Sequence, residues 1–328
     1  MRKHIAVIGC GHWGKNLVRN LAELGALAAV CDPNELLAET YAKEYNVENL
    51  SFDDVLNKTD IDGVVLAVPA PLHANMAIAA MNSGKHVYVE KPLAMNKGEA
   101  EDMIASAKTN GVQLMVGHLL QYHPCFITLL NLVESGELGT ISYIYSNRLS
   151  FGKVRSEENV IWSFAPHDIS MVLSLAGREP KLVRAESFSS LQPNIADTAI
   201  LHMEFPSGEK AHISVSWLHP YKEQKLVVVG KDAMAVFDDT KPWGEKLALY
   251  KYVVKSSDGV PSLKKAEAEF VEVAQSEPLR NECQHFLDTV SGKVKPLTDG
   301  AEGLRVLKVL SAASLSERRN ETVRLKEI

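Results

Sequence analysis

The sequence has few cysteines: Cys10, Cys31, Cys125 and Cys283 are the four in 328 residues, and no two form a C-x-x-C pair. This spacing excludes a disulfide framework and a zinc knuckle, and it suits buried thiols in a reducing compartment. Positive charge is not in excess either. With 35 Lys and Arg against 41 Asp and Glu, the formal charge of −6 gives no general basic field to hold nucleic acid or an anionic membrane. Nowhere do about 18 apolar residues run uninterrupted, as a membrane-crossing helix requires. The apolar start Ile5-Ala6-Val7-Ile8 is cut by Gly9 and His12, too early for a secretory signal, so a cytoplasmic protein is expected. Repeats and low-complexity tracts are missing. What remains is 46% hydrophobic and 23% charged, an ordinary globular composition long enough for two domains.

Hydrophobic patterning divides the chain into two textures. Short β-branched runs at 4–8, 26–31, 63–68, 86–89 and 113–116 alternate with helical spacing at 15–24, 34–45, 51–56, 72–83 and 97–110. That alternation predicts an α/β domain over 1–120 with a parallel sheet and crossover helices. A helix at 124–136 leads to longer alternating segments at 141–149, 183–188, 198–205, 210–217 and 224–229. In the fourth of these, Ile213, Val215 and Trp217 share one face, while His212, Ser214 and Ser216 share the other. The second domain, 121–328, is therefore expected to be α+β with a largely antiparallel open sheet. Helices predicted at 166–176, 277–291 and 301–315 would cover its apolar face, the last also able to pack on the first domain.

Gly9-Cys10-Gly11-His12-Trp13-Gly14 fits G-x-G-x-x-G, directly after a strand and at the opening of a helix. In that setting the glycines permit a tight turn, close approach of backbone to a pyrophosphate, and helix-on-strand packing, as in a Rossmann domain. The helix N-terminus adds N–H groups and partial positive charge for the phosphates. His12 and Trp13 belong to the same turn. Asp32 ends the second strand, eighteen residues after Gly14, where a carboxylate accepts from ribose hydroxyls and repels a 2′-phosphate. NAD is thus favoured over NADP. The competing reading makes Asp32 a helix cap in a tight turn. A third signal, Val68-Pro69-Ala70-Pro71-Leu72-His73, lies at the carboxyl end of another strand, where loops border the ligand crevice. Pro69 and His73 are candidates there, with a surface residue in the first turn of a helix as the alternative for His73.

With Val87-Tyr88-Val89-Glu90-Lys91-Pro92-Leu93-Ala94, the chain resembles the glucose-fructose oxidoreductase / inositol dehydrogenase / MocA family. Motif order and spacing continue through Val116-Gly117-His118, His123-Pro124, Gly136-Glu137-Leu138-Gly139 and Thr298-Asp299-Gly300-Ala301-Glu302-Gly303, so the resemblance covers nearly the whole chain. It implies an NAD enzyme acting on sugars or cyclitols, with Glu90 and Lys91 at the cofactor and Lys91 beside the reacting carbon. It also implies that the X-Pro bond after Lys91 is often cis. A general acid/base histidine is implied at His167, in Trp162-Ser163-Phe164-Ala165-Pro166-His167-Asp168-Ile169. The chain departs from the family in two places: Ser163 stands where an aspartate is usual, and Leu119-Leu120-Gln121-Tyr122 lacks an arginine common in relatives.

Oxidising a secondary alcohol needs a base to take the hydroxyl proton as hydride leaves. Histidine, near pKa about 6.5, suits that task better than lysine, near about 10.4. His167 is therefore read as the base and Lys91 as the hydrogen-bond donor to the reacting oxygen; the reverse assignment stays open. Arg148, Lys153 and Arg155 follow the first strand of the second domain, a cationic cluster suited to a diphosphate or, alternatively, a solvated loop. Tyr122, Asn147, Arg148, Arg155, Trp162 and Asp168 are the expected substrate contacts. Together these segments resemble the nucleotide-sugar branch that oxidises the 3-hydroxyl of UDP-N-acetylglucosamine. The rivals are an inositol or free-sugar dehydrogenase and a non-catalytic NAD(H)-binding regulator. The resemblance also implies a homodimer or homotetramer formed through the open sheet. No metal site is expected.

Overall fold

Short, mostly apolar strands, among them Ile5–Ile8, Gly63–Leu66 and Leu114–Gly117, buried at every position, build the first sheet. The computed structural model describes residues 4–152, 155, 158–257, 260–264 and 267–328. Its first part runs β1 (Ile5–Ile8), α1 (Gly14–Glu23), β2 (Leu27–Cys31), α2 (Glu35–Tyr45), β3 (Glu48–Asn49), α3 (Phe52–Asn57), β4 (Gly63–Leu66), α4 (His73–Asn82), β5 (His86–Glu90), α5 (Lys97–Asn110) and β6 (Leu114–Gly117). All pairings are parallel, in the order β3-β2-β1-β4-β5-β6. The order reverses between β1 and β4, which opens a crevice at the strands' carboxyl ends where dinucleotides bind. Polar caps start α2 and α5: Asn34 accepts from Leu37 N at 3.2 Å, and Asn96 from Glu99 N at 3.0 Å.

The second part contains α6 (Pro124–Glu134), β7 (Ile141–Phe151), α7 (Val160–Ala176), β8 (Leu182–Phe188), β9 (Thr198–Glu204), β10 (Lys210–Ser216), β11 (Leu218–Gly230), β12 (Ala233–Asp238), β13 (Leu247–Lys251), the hairpin β14 (Val253–Ser257) and β15 (Val260–Lys264), and β16 (Glu269–Phe270). α8 (Pro278–Val290), α9 (Gly300–Arg319) and β17 (Val323–Arg324) complete the chain. Nine strands form one sheet, β16-β13-β12-β11-β7-β10-β9-β8-β17, antiparallel except for the parallel pair β7–β10. Ala211, Ile213, Val215 and Trp217 are all buried on one face, as their alternation requires.

Residues Met1–Tyr122 with Ser276–Leu307 make one compact unit, and His123–Gln275 with Lys308–Ile328 make the other. A single cut at residue 120 does not anticipate this return of the chain. α8, expected over the antiparallel sheet, instead packs in the first unit. Leu279, Cys283, Phe286, Leu287 and Val290 join Ile5, Leu17, Val18 and Tyr88 in one core, with the Phe286 and Tyr88 rings 5.8 Å apart. An apolar helical stripe states that a face is covered, not which face, so the sequence could not choose. α7 likewise begins six residues before the expected start. Asn159 caps it by accepting from Trp162 N at 3.1 Å, and Pro166 falls inside the helix rather than at its first position. All four cysteines are buried and free. Among the described residues no helix is long and apolar enough to cross a membrane.

Candidate active site

The glycine-rich turn of the first unit has the shape its sequence requires. Gly9 has φ +93°, and a Cβ there would lie 2.6 Å from the Ala67 carbonyl oxygen. A Cβ on Gly14 would come within 1.9 Å of the Gly9 oxygen, so the start of α1 can approach the strand only without a side chain. Gly11 differs: nothing lies within 4 Å of its Cβ position, leaving open the side from which a pyrophosphate would approach. No side chain caps α1. Asp32 sits beside this turn, accepting from Cys10 N at 2.6 Å and from Asn34 N at 2.8 Å. Asn34 is the cap of α2, so the reading of Asp32 as that cap fails, and its carboxylate keeps lone pairs for ribose hydroxyls. Open Gly11, the uncapped helix and the anchored carboxylate fit an NAD adenosine and pyrophosphate.

His73 is neither a crevice ligand nor a surface residue. It is 1% exposed, with Nδ1 2.8 Å from the Pro92 oxygen and Nε2 2.9 Å from the Val68 oxygen. Burial pushes its pKa below the ordinary histidine range against the opposing pull of the two carbonyls, and the ring ties the turn at Val68 to Pro92, after Lys91. Pro69 itself is exposed. The Lys91–Pro92 peptide is cis. Lys91 is half-buried at the end of β5.

Glu90, expected at the cofactor, is turned inward. Its Oε1 accepts from the exposed Trp13 indole Nε1 at 2.6 Å and from the Tyr88 hydroxyl at 3.1 Å, and its Oε2 accepts from Lys91 N at 3.3 Å. Burial raises its pKa, opposed by Trp13 and Lys91. Glu90 therefore braces Trp13 and the Lys91 backbone. His12 is exposed at the turn. Tyr122, expected to meet substrate, is a core residue of this unit: it is 3% exposed, and its hydroxyl lies 2.8 Å from Thr298 Oγ1. Sequence reasoning missed Glu282, a fully buried glutamate on α8. The available signal was a carboxylate interrupting the apolar stripe Leu279, Cys283, Phe286.

In the second unit His167 is half-buried in the second turn of α7. Its neighbour Asp168 is 1% exposed and fully engaged. Asp168 Oδ1 accepts from Ser146 Oγ at 2.6 Å and Arg148 NH2 at 3.3 Å, and Oδ2 accepts from Arg148 Nε at 2.6 Å. Both residues were expected to contact substrate; they bind each other and lock α7 to β7. Two members of the expected cationic cluster are engaged by carboxylates, Arg148 by Asp168 and Arg155 by Glu158. Arg155 is exposed and pairs with Glu158 at 2.6 Å, while Lys153 lies outside the described residues. Asn147 donates to Glu223 Oε1 at 2.6 Å, and Trp162 Nε1 donates to Ser314 Oγ at 3.0 Å. Ser163, at the usual aspartate position, is buried beside them on α7.

Comparison with known proteins agrees with this geometry. Residues 3–118 match the model of an oxidoreductase family with an NAD-binding Rossmann fold, and residues 126–236 match the GFO/IDH/MocA C-terminal domain. The chain is 28% identical over 302 residues to UDP-N-acetylglucosamine 3-dehydrogenase of Acidithiobacillus ferrooxidans, covering 92% of this chain and 93% of that protein. It is 26% identical over 338 residues to scyllo-inositol 2-dehydrogenase (NAD(+)) of Bacillus subtilis, covering 98% and 95%. A solved structure of the Acidithiobacillus ferrooxidans enzyme superposes with a TM-score of 0.86 at 27% identity, over 97% of this chain and 98% of that one. With the open glycine turn, the Asp32 anchor and Lys91 at the strand end, the chain belongs to the Gfo/Idh/MocA family of NAD-dependent oxidoreductases.

Proposed function

We propose that the protein oxidises a secondary hydroxyl of a nucleotide sugar, the 3-hydroxyl of UDP-N-acetylglucosamine or a close relative. The observation that carries this reading is the likeness to the Acidithiobacillus ferrooxidans enzyme, which extends through both units at 28% identity and over 92% of this chain. The Arg148 fork does not support it, because Asp168 occupies two of its nitrogens. Bound NAD supplies the hydride acceptor. His167 takes the hydroxyl proton and Lys91 hydrogen-bonds the reacting oxygen, with Glu90 holding the Lys91 backbone and His73 the Pro92 carbonyl. Such proton transfer contributes about 10²–10⁴-fold to turnover.

The second reading, an inositol dehydrogenase, is favoured by the Bacillus subtilis relative, 26% identical over 98% of this chain. Incubation with NAD and a panel of UDP-sugars, free sugars and inositols, followed at the NADH absorbance, separates the two. Turnover of inositol with none of any UDP-sugar overturns the first. If Lys91→Ala and His167→Ala both keep near-normal turnover on the true substrate, the catalytic assignment is wrong.

A further inference from the structure

The first unit buries two carboxyl groups around one tyrosine. Glu282 on α8 is 0% exposed and Glu90 on β5 is 8% exposed. Both interact with Tyr88, itself 2% exposed, and with each other. The Tyr88 hydroxyl proton is committed, since it donates to Glu90 Oε1. Two further donors, Trp13 Nε1 and Lys91 N, also point at Glu90. Three donors, with no acceptor among the described residues, define Glu90 as a carboxylate. Glu282 has the opposite surroundings: the neighbouring Tyr88 hydroxyl already gives its proton to Glu90, and among the described residues neither Glu282 oxygen has a well-formed hydrogen bond. A fully buried carboxylate without donors costs several kcal/mol, whereas a carboxylic acid needs only an acceptor. Having given up its proton, the Tyr88 oxygen is that acceptor. β6 closes the site, with a Gly117 Cβ position 2.9 Å from the Tyr88 hydroxyl and 3.0 Å from Glu90.

We propose that Glu282 is a positioning residue for the cofactor end of the sheet: a neutral acid donating to Tyr88, which donates to Glu90, which as a carboxylate holds the Trp13 indole and the Lys91 backbone. The two carboxyls thus share a single proton, resident on Glu282, because neighbouring buried carboxyls do not both ionise. Burial pushes Glu282 well above the ordinary carboxylate range, with Glu90 adding to the shift. The other titratable groups facing the pair are Cys283 and Tyr122, both raised by burial with Glu282 adding, and Lys91, which lowers Glu90. The link to catalysis rests on the reading of Lys91 as a catalytic residue; the protonation state does not.

The test uses the full chain without substrate. At about pH 8, well above the ordinary carboxyl range, the infrared difference between wild type and Glu282→Gln should contain the C=O band of a protonated carboxylic acid. A difference containing only carboxylate bands overturns the proposal. NAD affinity supplies the second readout. Glutamine keeps an N–H donor for Tyr88, so Glu282→Gln should bind NAD within about twofold of wild type, whereas Glu282→Leu and Tyr88→Phe should bind about tenfold more weakly, a loss of roughly 1.4 kcal/mol. In Tyr88→Phe, Glu90 loses a donor, so the fall of NAD affinity with decreasing pH should begin at higher pH than in wild type. A Glu282→Gln protein that fails to fold, or loses affinity as fully as Glu282→Leu, shows that the carboxylate is required and overturns the proposal. Failure of every UDP-sugar as substrate would leave the infrared result standing, so the two readings fail separately.

Discussion

Replacing Arg148 by methionine should destabilise the second unit more than it disturbs ligand binding. The Arg148 side chain is 12% exposed and that of Asp168 is 1% exposed. Without the guanidinium, Asp168 Oδ2 loses its 2.6 Å donor, and Oδ1 keeps only the Ser146 hydroxyl. Removing one partner of a buried pair costs about 3–5 kcal/mol, because the other charge is left desolvated. With a urea slope of about 1–3 kcal/mol per M, the unfolding midpoint of this unit should fall by roughly 1–5 M. Three of the four tryptophans, Trp162, Trp217 and Trp243, lie in the second unit, so intrinsic fluorescence follows its transition. The double variant Arg148→Met with Asp168→Leu should recover most of the loss, since neither charge then remains buried. A single Arg148→Met variant with an unchanged midpoint and a raised KM for a sugar nucleotide would refute this reasoning and return Arg148 to the substrate.

Other consequences concern the cofactor turn and acid stability. Gly11→Ala should leave thermal unfolding of the free protein unchanged, because its Cβ meets nothing within 4 Å, while weakening NAD about tenfold or more by calorimetry. Gly14→Ala should lower the melting temperature even without NAD, since its Cβ would lie 1.9 Å from the Gly9 oxygen. Asp32→Asn should weaken NAD by roughly 10- to 100-fold, from the about 1.5–3 kcal/mol of charge-assisted hydrogen bonds, and narrow the preference over NADP in parallel titrations. Burial would raise the Asp239 pKa, but His123 at 3.3 Å and Lys246 at 2.7 Å outweigh it and bring it down to about 2. A carboxyl depressed on folding stabilises above its unfolded pKa and loses that contribution as pH falls through its folded value. Asp239 should therefore contribute about 2 kcal/mol above pH 4, lost between about pH 4 and 2. Urea titrations across that range should show this part of the slope missing in Asp239→Asn.

The sheet of the first unit was legible because parallel strands buried on both sides need unbroken β-branched runs, and β1, β2, β4, β5 and β6 each lie within two or three residues of their expected ranges. The glycine turn was legible for a similar reason: Gly9, Gly11 and Gly14 answer local steric demands that spacing alone expresses. The second sheet was read less completely. Alternation predicted β7 to β10 and the later part of β11, but not β12, β13 or β16, nor the parallel pairing of β7 with β10, because a period of two carries no strand direction.

Sequence by itself determined the dinucleotide fold, the preference for NAD and the strand that Lys91 follows, since each rests on neighbours within one strand–turn–helix unit. Only the tertiary structure decided which polar residues face a ligand and which face each other. His73, Glu90, Tyr122 and Asp168 all belong to site motifs, yet each turns inward to a partner: Pro92, Trp13, Thr298 and Arg148 in turn. Apart from the charge pair, those partners lie 19 to 176 residues away along the chain. The physical reason is that a buried polar group must be satisfied by whatever packing brings beside it, and packing is a property of the folded chain, not of sequence spacing.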